Sequence, residues 1–199
     1  MRWNNLFNDL EAQLDRELAA EDADERRDTA RAAVAIVGQR QVLLALAKDY
    51  EGSVLMRTSA RRFTVTVDTV GADWVAVTEI DPGTSVASAT HVIPVHAITE
   101  IELASGASVA SVTRRDVREE LRPRLIDRVA FDVVLRDLAR RRRWVEITTR
   151  DNVVSGTLDV VGRDWCEVAR HPRHVARRQS AIAGSVLIPL PAVLGVRVD

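Results

Sequence analysis

The sequence predicts a mostly β protein with helices (α+β): two tandem small five-stranded barrels, each with a leading helix, behind an N-terminal amphipathic helix. Three observations predict it: an internal repeat, a switch from helical to alternating hydrophobic periodicity at the same place in each copy, and an apolar stripe at helical spacing near the start. The 199 residues are 46% hydrophobic and 29% charged, an ordinary globular balance that excludes a disordered, collagen-like or disulfide-scaffold chain. The lone cysteine, Cys166, allows no intrachain disulfide and suits a reducing cytoplasm. The most apolar stretch, residues 32–47, is broken by Gln39, Arg40 and Gln41, and no apolar signal core follows Met1. Neither a membrane span nor an export signal is expected.

In chain order, Trp3, Leu6, Phe7, Leu10, Leu14 and Leu18 make one face of the N-terminal helix, with acidic residues opposite. That face needs a partner, either the chain's own core or another protein, and Trp3, Leu6, Phe7, Leu10 and Leu14 are its candidate partner-binding residues. The charged run Glu21 to Arg31 reads as an exposed continuation, so residues 1–31 form a helical arm.

The repeat is visible in VGADW at Val70 to Trp74, which recurs as VGRDW at Val161 to Trp165, a shift of 91 positions. The same shift pairs Leu44 with Leu135, Val54 with Val145, Met56 with Ile147, Asp68 with Asp159 and Val77 with Val168. Farther on, VIPVHAI (Val92 to Ile98) matches LIPLPAV (Leu187 to Val193) at a shift of 95, so the second copy has four extra loop residues. Each copy opens with a helix: Ala33, Val34, Val37, Leu44 and Ala47 share one face in the first, Leu125, Ile126, Val129, Val133 and Leu138 in the second. Val54 and Met56, and Val145 and Ile147, then alternate with more polar neighbours as half-buried strands do.

Second strands are expected at Phe63 to Val70 and Ser155 to Val161, and third strands at Trp74 to Ile80 and Trp165 to Ala169. Between them the Val-Gly-Xaa-Asp-Trp segments read as tight turns, where glycine can supply a positive φ and aspartate can bond backbone amides. Short fourth strands at Val92-Ile93 and Leu187-Ile188 end at Pro94 and Pro189, and fifth strands follow at Ile98 to Leu103 and Val193 to Val198. Five short bent strands can hide their edges by curling into a small barrel with the helix over one end. The first unit is residues 32–103, the small and polar segment 104–113 is the linker, and the second unit is 114–199, with a break or a new first helical turn at Pro123.

This order of helix, strand, glycine-bearing strand, Val-Gly-Xaa-Asp turn, hydrophobic strand and Ile-Pro-Val/Leu-Xaa-Ala-Ile/Val resembles Sm-like (LSm) and related SH3-like small barrels over Arg40 to Leu103 and Phe131 to Val198. The resemblance implies a fold and no site. Trp74-Val75 and Trp165-Cys166 occupy the stretch where the family's base-holding asparagine would stand, and His96-Ala97 and Pro191-Ala192 replace its Arg-Gly.

The net charge of −1 hides a division: residues 1–103 carry 10 basic and 17 acidic groups, and residues 104–199 carry 18 and 12. The basic part contains Arg140, Arg141, Arg142 and Arg143 at a helix end, and Arg170, Arg173, Arg177 and Arg178, with His171 and His174, in the lengthened loop. Guanidinium forks suit phosphate oxygens, which makes these arginines the candidate nucleic-acid contacts; a helix C-terminus favours arginine anyway. Aromatic residues, the usual stacking platforms, are only 4% of the chain, and Trp144 alone stands beside the arginine run. The recurring Asp68, Asp159, Asp73 and Asp164 read as structural, because a turn requires its residue in both copies. Cys166, His171 and His174 lack a fourth ligand at zinc spacing, and no phosphate loop, dinucleotide fingerprint or nucleophile elbow occurs. The expectation is a non-enzymatic cytoplasmic assembly or adaptor protein without a cofactor, catalytic residue, metal or small-molecule substrate, working through protein partners or self-association. An RNA-binding role for the second unit is the alternative.

Overall fold

The computed structural model describes residues 37–81, 83–84, 86–104, 107–109, 112, 124–173 and 183–198, with positions 13 and 35 besides. The N-terminal arm falls outside them except at position 13, so Trp3, Leu6, Phe7, Leu10 and Leu14 are not among the described residues. Helix α1 (Gln39–Asp49) precedes β1 (Val54–Thr58), β2 (Arg62–Val70), β3 (Trp74–Ile80), β4 (Ala87–Pro94) and β5 (Ile98–Glu102). Helix α2 (Phe131–Arg140) precedes β6 (Trp144–Thr148), β7 (Val153–Val161), β8 (Trp165–Arg170), β9 (Gly184–Pro189) and β10 (Gly195–Val198).

The two separate barrels expected from the sequence are not formed. All ten strands belong to one antiparallel sheet in the order β5-β1-β2-β3-β4-β10-β6-β7-β8-β9, and the sheet is open, with β5 and β9 at its edges. The cause lies in the links after Pro94 and Pro189. Each is a three-residue 3-10 turn, Val95–Ala97 or Leu190–Ala192, which carries the chain across to the first strand of its own half. Hence β5 pairs with β1 and β10 with β6, and β4 cannot close its half as a hairpin with β5. The freed edge of β4 pairs instead with β10, with Val92 opposite Val196, His91 opposite Arg197 and Thr90 opposite Val198.

The alternation read from the sequence sets the core. Val54, Met56, Val145 and Ile147 are buried, each half gathering its own apolar cluster around Leu43 and Leu46 or around Phe131 and Leu135. Burial of such side chains contributes about 1.5–3 kcal/mol each before chain entropy is counted. The clusters meet at the joint: Trp74 and Val92 of the first half belong to the second cluster, and Leu194 packs on the first.

Two local expectations change. The segment from Leu125 to Arg128 is a 3-10 turn, so the helical phase restarts at Ala130; the buried face is Phe131 and Leu135, and the expected Leu125 and Val133 are 84% and 47% exposed. The helices start 92 positions apart (131 minus 39), so Leu43, and not Leu44, matches Leu135; both are fully buried. The fourth strands also run longer than their Val-Ile and Leu-Ile cores.

Candidate protein interface

The recurrent Val-Gly-Xaa-Asp-Trp turn works by sterics. Neither Gly71 nor Gly162 has a positive φ, contrary to the expectation; a Cβ on Gly71 would lie 2.1 Å from Trp74 Nε1, and one on Gly162 2.5 Å from the Trp165 ring. Glycine is there because the indole folds over the backbone. The aspartates Asp68 and Asp159 mark a different feature: the registers of β2 with β3 and of β7 with β8 both slip between the residues flanking them, a β-bulge in the same place. Asp68 accepts a 2.7 Å hydrogen bond from the Thr78 hydroxyl.

In the first half this turn binds the second half. Trp74 Nε1 and the Ala72 amide both donate to the Val129 carbonyl, at 2.8 and 3.0 Å, and Asp73 Oδ1 accepts from the Phe131 amide at 2.7 Å. Ala130, the residue before α2, offers no side-chain cap, so Asp73 supplies from the other half the acceptor that a helix N-terminus lacks. Arg40 adds a third tie, donating from Nε to the Gly71 carbonyl at 2.6 Å and from Nη2 to Asp127 Oδ1 at 3.1 Å. In the second half the same turn meets no such partner among the described residues: Trp165 is only half-buried and Asp164 is exposed.

The strand joint carries a polar cluster. His91 Nε2 lies 2.9 Å from Glu79 Oε2, Glu79 also pairs with Arg61, and Arg197 Nη1 donates to Glu146 Oε2 at 3.2 Å. Arg61 stacks on Phe63 at 4.7 Å, and the Phe63 and His91 rings are 5.5 Å apart. Burial pushes the His91 pKa down, against the hydrogen bond and charge of Glu79, which raise it; Arg61 and Arg197 add to the lowering. An open cleft of about 670 Å³ lies beside the cluster, lined among others by Arg61, His91, Glu146, Arg150, Asn152 and Arg197. Its charges largely answer one another, so the arrangement fixes the register of the joint.

Of the candidate nucleic-acid arginines among the described residues, two are engaged by an acidic neighbour. Arg140 and Arg141 both pair with Asp137, Arg141 at 2.7 Å, and those two neighbours hold the Asp137 carboxyl below its usual range. Arg142 sits at φ 52°, and the amides of Arg142 and Arg143 close the helix on the Ala139 and Leu138 carbonyls. The run is a Schellman helix end with an arginine where glycine is usual. Arg170 is exposed at the end of β8, and the Arg173 guanidinium lies 5.5 Å from the Trp144 ring. Arg177, Arg178 and His174 lie outside the described residues. His171 is buried, donating from Nδ1 to the Pro172 carbonyl at 3.0 Å and pairing through Nε2 with the Thr157 hydroxyl at 2.7 Å. Cys166 is fully buried, which pushes its thiol pKa up to about 11.

Sequence reading missed the joint cluster because it was drawn to residues that recur. At the shifts of 91 and 95, His91, Glu79, Arg197 and Glu146 match Val186, Arg170, Glu102 and Leu55. A charged or polar strand residue whose counterpart differs in kind was the available signal. No helix of the described residues is long and apolar enough to cross a membrane. The chain matches no family model, no curated protein and no solved structure.

Proposed function

We propose that this is a non-enzymatic assembly or adaptor protein that works through protein–protein contacts made at the ends of its sheet. One observation carries the reading: among the described residues the sheet ends at β5 and β9, each paired on one side only. An unpaired edge presents a row of backbone donors and acceptors that a further strand satisfies, and proteins that avoid such pairing usually blunt the edge with charge or proline. Here the middle of β9 is apolar, with Leu187 exposed, Val186 half-buried and Ile188 turned into the core. The lone thiol, Cys166, supports a reducing compartment such as the cytoplasm as the place of action.

Light scattering across about two decades of concentration, combined with the ultraviolet absorbance ratio of the purified protein, tests the proposal. Association with itself or with a stoichiometric protein partner, free of nucleic acid, is the expected result. A partnerless monomer of 22.0 kDa throughout overturns it. So does tight single-stranded RNA binding that falls steeply with salt and on neutralising Arg140 to Arg143, in the absence of any protein association.

A further inference from the structure

We propose that the Val161 to Trp165 turn is a docking site for a helix start presented by a partner protein: an extended residue offering its carbonyl, followed two residues later by the first amide of an α-helix. The inference rests on the adaptor reading above and adds a contact away from the strand edges. The template is the contact that the first half makes with the second. There Trp74 Nε1 and the Ala72 amide converge on the Val129 carbonyl, and Asp73 Oδ1 accepts from the Phe131 amide at the start of α2. Three groups of one turn thus hold one short segment, Val129 to Phe131, by its backbone.

The second turn is built the same way. Trp165 lies over Gly162 as Trp74 lies over Gly71, with no room for a Cβ at either glycine. The Gly162 amide donates to the Trp165 carbonyl at 2.8 Å, as the Gly71 amide does to that of Trp74. The Leu190 amide donates to the Asp164 carbonyl at 2.8 Å, as the Val95 amide does to that of Asp73 at 2.9 Å. A helix arginine holds the glycine carbonyl in both turns, Arg40 through Nε on Gly71 and Arg136 through Nη2 on Gly162. The second turn is therefore preformed, yet Trp165 Nε1, the Arg163 amide and the Asp164 carboxylate bond no described residue. Beside them opens a pocket of about 390 Å³, lined among others by Arg163, Asp164, Leu190 and Pro191, with room for a side chain of the occupant.

The chemistry of the turn selects that occupant. An outside acceptor is worth most to a helix start that lacks a cap of its own. Among the described residues α2 is such a start, with Ala130 before it, and Asp73 already serves it. Helix α1 begins after Gly38, whose amide is held by Gln41 Oε1 from its own first turn. The uncapped start thus comes from another protein. Arg163 stands where the first half has Ala72, so a partner helix with Asp or Glu in its first turn fits best, complementing both the arginine and its own dipole.

The probe is a fluorescently labelled peptide with the sequence of residues 124–140, the stretch that the first turn already holds, titrated against the full chain. One peptide per chain should bind. Asp164→Ala should weaken binding about tenfold, through loss of a cap and its charge, and Trp165→Phe about fivefold, through loss of one hydrogen bond. Asp73→Ala should leave the affinity unchanged. Methylating the peptide nitrogen at the Phe131 position should weaken binding to wild type but not to Asp164→Ala, because that amide and that carboxylate form one pair. No binding, binding indifferent to Asp164→Ala and Trp165→Phe, or a methylation effect that persists in Asp164→Ala overturns the docking site; a stoichiometric protein partner seen by light scattering then leaves the adaptor reading standing. Self-association lost with Asp164→Ala would make the occupant a second copy and overturn the foreign partner. Peptide binding that obeys both substitutions, in a chain that is otherwise a partnerless monomer, supports the site and overturns the contacts at the sheet ends.

Discussion

Replacing Asp73 by alanine removes the cap that one half of the sheet gives to the helix of the other. The Phe131 amide then loses its 2.7 Å acceptor, and Ala130 has no side chain to replace it. Loss of an N-cap oxygen costs about 1 kcal/mol, and loss of its negative charge at the helix N-terminus adds about 0.5 kcal/mol. The sum, about 1.5 kcal/mol, corresponds to roughly 3–6 °C in melting temperature for a chain of this size. Asp164 is the same residue in the other copy and caps nothing among the described residues, so Asp164→Ala should change stability by less than about 0.5 kcal/mol. Both are best measured by urea unfolding at one fixed protein concentration, so that any association contributes equally. Equal losses at the two positions, or no loss at Asp73, would refute the inter-half cap and leave both aspartates as local turn formers.

Other expectations follow from close contacts and buried groups. Gly156→Ala should destabilise by more than about 2 kcal/mol in a thermal melt, because the new Cβ would lie 2.0 Å from the Ala169 carbonyl oxygen on the adjacent strand. Arg142→Gly should stabilise by about 1 kcal/mol by relieving a left-handed residue at the helix end; destabilisation would show that the arginine side chain contributes more than the backbone costs. Cys166, with its thiol pKa raised to about 11 by burial, should resist a thiol reagent at pH 8 until the protein unfolds. His91, facing Glu79, Arg61 and Arg197, has a folded pKa below its ordinary 6.5, so the folded state binds fewer protons than the unfolded one. The stability associated with it is complete above about pH 6.5 and falls as the pH drops toward the folded pKa. His91→Gln should flatten that part of the stability–pH curve, and an unaltered acid slope would contradict the assignment.

The strands were legible because Val54, Met56, Val145 and Ile147 alternate and because the Val-Gly-Xaa-Asp-Trp turn recurs. What a strand pairs with was not. Periodicity shows which face is buried, whereas closure depends on where the chain goes after Pro94 and Pro189, and the 3-10 turns there send β5 and β10 across their own halves. Helix phase failed where Leu125, Ile126 and Val129 mimic a helical stripe on a 3-10 turn. The arginine run was conspicuous as charge, yet Arg140 and Arg141 are occupied by Asp137 and Arg142 by the geometry of the helix end. The joint cluster was invisible for the opposite reason: His91 and Arg197 matter where the two copies differ, and a repeat draws the eye to where they agree.

A cysteine pair reads the joint between the two halves of the sheet directly. Thr90 and Val198 face each other across β4 and β10, within the range a disulfide can span, so Thr90→Cys with Val198→Cys should close an intramolecular bridge on oxidation. On a non-reducing gel the oxidised double variant should run as a 22.0 kDa species that migrates faster than its reduced form, and Thr90→Cys alone should show no such shift. A double variant whose migration oxidation leaves unchanged would contradict the pairing of β4 with β10 and with it the single ten-stranded sheet.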